Sequence, residues 1–230
     1  MLIFLSYAGI SHAQQRMPIP PNMRGKTCSQ IRPDPKVNIT TSYGVLQYDY
    51  TQTVPQLTSI GTKSGTGEAG AFVEGLAVAT TIWEMSMSVL PVPEGNKICI
   101  VPVEVDIFIG YKNPVIYIAK ELSPNSCRFN LVMRHEQAHM QINKSALDYF
   151  IPILAESIRK LAKDIRPVLI GNTQAQFQEA QNKFTEEYQR NIRPMVDTFI
   201  YERGKEQGKL DNYQHYKLEN EVCNEFNKKY

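Results

Sequence analysis

What this chain lacks narrows its chemistry first. It has no apolar run of the ~20 residues needed to cross a bilayer; the stretch opening at Leu2-Ile3-Phe4-Leu5 is far shorter. It has no block of like charge. Twenty-five Lys+Arg and 23 Asp+Glu are interspersed and give a formal net charge of +2. A dedicated nucleic-acid binder concentrates its basic residues on one face, so nucleic acid is not an expected partner. No C-x-x-C pair occurs, which argues against a cysteine zinc cluster or a thioredoxin-type motif. The glycine-rich stretch from Gly61 to Gly70 lacks a Gly-Lys-Ser/Thr ending and reads as loop rather than phosphate cradle. Histidine is scarce, with four in 230 residues.

Residues 1–13 read as a secretory signal. Ser11-His12-Ala13 places small residues third-last and last before a cut. The mature chain is then exported, periplasmic or secreted, without stable membrane insertion. Four cysteines, Cys28, Cys99, Cys127 and Cys223, fit two disulfides in an oxidising compartment. Of the three pairings, Cys99–Cys127 is favoured because it ties a strand to the following helix, leaving Cys28–Cys223 to join the two ends.

The expected fold is α+β: a mainly antiparallel N-terminal sheet followed by a long antiparallel helical hairpin. Residues 14–36 hold five prolines and read as an extended leader; 37–230 read as one domain. Strand character appears over 36–53, around Trp83 in 77–92, and again in 115–119. It is strongest over 98–111, where Cys99, Val101, Val103, Val105, Ile107 and Ile109 alternate with other residues. Ser123-Pro124-Asn125-Ser126 signals a helix start, and the first helix is expected from Cys127 to Ile170 with a bend at Pro152. Gly171-Asn172 stops it. Thr173 to Gln176 resembles a capping box opening a second helix that runs to about Gly204, with a bend at Pro194.

The abundant information sits in His135-Glu136-Gln137-Ala138-His139. Histidines four apart share one helix face and can hold a single Zn²⁺, with Glu136 beside them to take a proton from water. The two histidines lie in line with Leu131, Ile142, Ala146, Tyr149 and Ile153. Imidazoles directed at a core need partners, and a shared metal supplies them.

Catalytic zinc commonly takes three protein ligands. A hairpin turning at Gly171-Asn172 would set His135 opposite position 208 and His139 opposite position 204. Glu202 and Glu206 are then within about a turn, and the apolar stripe ending at Met195 and Phe199 steps onto Glu202 next. Glu202 is therefore the expected third ligand, with Glu206 and His215 as alternatives. His215 otherwise serves catalysis by hydrogen-bonding the transition state. Asp148 and Glu156 are carried away along the motif's own helix at about 1.5 Å per residue.

With these residues in view, the chain resembles a family of predicted secreted bacterial zinc-dependent proteases. The similarity is carried by Tyr48-Asp49-Tyr50 followed by Gln56-Leu57, the region around Trp83, Cys127 leading into the His135–His139 motif, and a distal Gly204-Lys205-Glu206-Gln207-Gly208. Family members tend to have a histidine just before the distal glycine, where this chain has Arg203 with Glu202 beside it. The resemblance implies a zinc metallopeptidase acting on peptide or protein substrates. The competing reading is a non-catalytic exported envelope protein with a structural or vestigial zinc site. A third is a metal-free helical hairpin that binds a partner.

Overall fold

The computed structural model describes residues 18–64, 72–212, 214, 217–218 and 221–223. The expected signal over 1–13 and His215 lie outside the described residues. The architecture is α+β. In chain order it comprises β1 (Lys36–Ser42), β2 (Gln47–Asp49), α1 (Val54–Ser64), β3 (Gly75–Glu94), β4 (Lys97–Ile118), α2 (Cys127–Asp164), β5 (Val168–Ile170) and α3 (Gln174–Leu210).

One strand organises the sheet. β4 pairs antiparallel with β3 along its whole length, through a two-residue turn at Gly95-Asn96 in which Gly95 takes a positive φ of 62°. Along its other edge lie three short strands end to end. β5 pairs antiparallel with Ile98–Ile100, β1 parallel with Glu104–Gly110, and β2 parallel with Val115–Tyr117. The sheet is therefore mixed. The expected separate strand at 115–119 is a continuation of β4, because Asn113-Pro114 forms a bulge opposite Ala79 rather than a turn.

Alternation on β4 sends Val105, Ile107, Ile109 and Tyr111 to one face, where they pack under Leu147, Leu154 and Ile158 of α2 and Phe184, Tyr188 and Ile192 of α3. A second cluster joins Met23, Cys28 and Ile31 of the leader to Leu90, Val92, Cys99 and Val101. The leader thus packs on the far end of the β3–β4 hairpin through two 3₁₀ turns, Pro21–Met23 and Cys28–Gln30.

Helix ends follow their local chemistry. Ser126 caps α2 by accepting from the Phe129 amide, and Thr173 caps α3 by accepting from the Gln176 amide. α1 falls partly in the stretch expected to be loop. Its start is a capping pair, Thr53 with Gln56, with Glu121 accepting from the Val54 amide. α2 stops at Asp164, short of the expected Ile170, because Pro167 drives the residue before it out of the helical region and Val168–Ile170 instead joins β4. Both helices run through their internal prolines, and α3 runs past Gly204 to Leu210.

The disulfides are Cys28–Cys99 and Cys127–Cys223, correcting the expected pairing. Cys99 begins β4 and Cys127 follows its far end. Between Cys99 and Ile118 lies roughly 60 Å of extended chain, so those two cysteines cannot meet. Two disulfides fit an exported protein. No helix among the described residues is long and apolar enough to cross a membrane.

Candidate metal centre

α2 presents His135 and His139 toward α3, while Glu136, 100° further round the helix, points at the start of β3. All three are buried. The two imidazole Nε2 atoms stand 3.1 Å apart, and Asp211 Oδ1 is 3.0 Å from that of His135 and 2.9 Å from that of His139. These three groups are the set among the described residues that could hold a metal ion. Their spacing suits it. Ligand atoms at 2.0–2.1 Å from a tetrahedral ion stand about 3.3 Å apart, and two nitrogens and a carboxylate oxygen already meet within a few tenths of an ångström of that.

The third corner corrects the expectation of Glu202. Glu202 is 54% exposed at its side chain and pairs with Lys205 at 3.0 Å; Glu206 pairs in the same way with Lys209 on the solvent side. The buried stripe of α3 runs Ile192, Val196, Phe199 and then steps by four to Arg203, Gln207 and Asp211, whereas a step of three from Phe199 leads to Glu202. The hairpin pairing is also displaced by three residues. His139 meets Gln207 and His135 meets Asp211, because β5 and its flanks lengthen the connection beyond a tight turn. Continuing the i, i+4 count through Gly204 and Gly208 would have found Asp211. Reading those glycines as a helix end concealed it.

Gln207 does more than pass by. Its Oε1 lies against His139 Nδ1, and its Nε2 donates to the His139 carbonyl at 3.1 Å and to Asn143 Oδ1 at 2.8 Å. Asn143 is buried four residues beyond His139, and its own carbonyl accepts from Tyr111 Oη at 2.7 Å. Arg203 donates to the Ala79 carbonyl, opposite the β4 bulge, and to Thr81 Oγ1, with its guanidinium over the Tyr111 ring. Arg203 thus holds α3 against β3.

Glu136 lies against Gly75 and accepts from the Ala77 amide. Burial pushes its carboxyl from 4.5 up to about 7, and the nearby Asp211 charge adds to this; both histidines and the Ala77 amide pull the other way. For His139, burial favours the neutral ring. Hydrogen bonds to Asp211 and Gln207 and the charges of Asp211 and Glu136 outweigh it, and the pKa rises.

Val115–Tyr117 offers no edge to an added strand, being paired by β2 on one side and by β3 on the other. The strand beside Glu136 is β3. No protein-family model, curated protein or solved structure matches this chain, and the functional reading rests on the site itself.

Proposed function

We propose that this protein is a zinc-dependent metallopeptidase, exported to the periplasm or beyond, in which His135, His139 and Asp211 hold the metal. The observation that carries the reading is the meeting of those three ligand atoms within 3.1 Å of one another, next to the buried Glu136. Zn²⁺, when bound, supplies Lewis-acid polarisation of the scissile carbonyl and acidifies water. Glu136 would then take a proton from the attacking water on its carboxylate and return it to the leaving amine nitrogen. The Ala77 amide and the wall at Gly75 hold that carboxylate in place.

The substrate class is a peptide. Among the described residues β3 pairs with β4 alone, and its outward backbone groups beside the site are already engaged, the Ala77 amide by Glu136 and the Ala79 carbonyl by Arg203.

The test is zinc-loaded protein against an unfolded protein substrate, with Glu136→Gln alongside. Cleavage by the wild type, its loss in the variant and equal zinc content in both are expected. Equal turnover by both proteins, or no cleavage of any peptide by fully loaded wild type, would overturn the assignment; the latter outcome with zinc retained favours a structural zinc site.

A further inference from the structure

We infer that Gln207 is a positioning residue that keeps the ring proton of His139 on Nδ1, leaving Nε2 bare for a metal; the inference builds on the metal-binding part of the function proposed above.

The argument starts from donors and acceptors that cannot exchange roles. A backbone carbonyl only accepts, so the Gln207 atom 3.1 Å from the His139 carbonyl is the amide nitrogen. That orientation is reinforced at Asn143 Oδ1, 2.8 Å away. The amide oxygen must then be the atom facing His139 Nδ1. Because that oxygen only accepts, the ring nitrogen opposite must carry the proton. In the neutral ring the lone pair is then on Nε2, the atom 3.1 Å from His135 Nε2.

Asp211 pulls the other way. Its Oδ1 lies 2.9 Å from His139 Nε2, and a carboxylate there draws the proton onto Nε2, the form that cannot bind metal. Gln207 is the counterweight, and its own footing is rigid. Asn143 is buried, and Tyr111 of β4 donates to its carbonyl. The chain from Tyr111 through Asn143 and Gln207 to His139 thus transmits the position of the sheet to the ring. Partners of this kind behind a ligating histidine typically change metal affinity 10–100-fold when removed. They also explain a buried Asn four residues after the motif, which neither binding nor proton transfer requires.

The test compares wild type with Gln207→Met, which fills the same space without an acceptor, and Gln207→Glu, which keeps one. Two quantities are read: zinc affinity by chelator competition, and the site of the His139 ring proton in metal-free protein at alkaline pH by ¹⁵N–¹H correlation NMR. In Gln207→Met the proton is expected to move toward Nε2 and zinc to bind about 10–100-fold more weakly. In Gln207→Glu an acceptor still faces Nδ1 and the proton stays there, with Asn143 turning its amide to the new carboxylate; because the second oxygen now faces the His139 carbonyl, this variant is read by the ring proton and not by affinity. A residue that merely packs would leave the ring proton on Nδ1 in Gln207→Met as well, which would overturn the inference. If wild type takes up no zinc, the metal reading fails by itself, and the proton position still decides the role of Gln207.

Discussion

Replacing Asp211 by Ala separates the site seen in three dimensions from the one the helical count directs to Glu202. Asp211 Oδ1 is within 3.0 Å of both Nε2 atoms, and its removal leaves two histidines. Structural zinc sites are worth about 10–16 kcal/mol over all their ligands, so one ligand in four accounts for roughly 2.5–4 kcal/mol. Asp211 is 31% exposed at its side chain, so water can enter in its place. The lower figure is the better guide, giving a loss of about 100-fold in affinity. Glu202→Ala and Glu206→Ala remove carboxylates already paired with Lys205 and Lys209 on the solvent side, and each is expected to leave affinity within about twofold. The assay is competition with a chromogenic chelator at neutral pH. Melting of the metal-free proteins shows whether Asp211→Ala still folds, since Asp211 also ends α3. Asp211→His should recover much of the loss, imidazole being an equal ligand. Zinc kept by Asp211→Ala and lost by Glu202→Ala would refute the geometry and move the end of α3 by a helical turn or more.

Three further outcomes are expected. In metal-free protein, Glu136 holds its proton more tightly folded, at about 7, than at the ordinary 4.5. Its contribution to stability is therefore full below about 4.5 and falls by about 3 kcal/mol as pH rises to about 7. Urea unfolding of wild type and Glu136→Gln across that range should show the difference between them widening with pH, and a constant difference contradicts it. Gly204 and Gly208 lie inside α3 with open space where a Cβ would stand. Each Gly→Ala change should raise stability by about 0.5–1 kcal/mol without weakening zinc binding; destabilisation would mean that something occupies that space. Peptide mapping without reduction should recover Cys28–Cys99 and Cys127–Cys223, and the Cys127→Ser, Cys223→Ser double variant should lose up to about 5 kcal/mol in chemical unfolding, as expected for closing a loop of this length. Recovery of a Cys99–Cys127 peptide would contradict the sheet as well as the pairing.

Local chemistry was legible from the residues alone. The spacing of His135, Glu136 and His139, the helix starts after Ser126 and Thr173, the alternation of β4 and the presence of two long helices all depend on neighbours within a turn or a strand pair, and they stand in the fold, although α2 ends at Asp164 and α3 at Leu210 rather than at Ile170 and Gly204. So did the α+β class, which follows from strands first and helices after. The placement of distant residues was not legible. Whether Asn113-Pro114 turns the chain or bulges it depends on β3 lying opposite, and that choice decides whether Cys99 is near Cys127 or at the other end of a 22-residue strand. Whether 165–173 is a tight turn depends on Val168–Ile170 finding a place on β4. That one pairing displaces α3 by three residues against α2, which moves Glu202 out to solvent and brings Gln207 and Asp211 to the histidines. A helix carries its side chains in a fixed rotation, so the sequence determined which residues travel together, Arg203 with Gln207 and Asp211, and only the packing of α3 on the sheet decided which of those rows faces the metal.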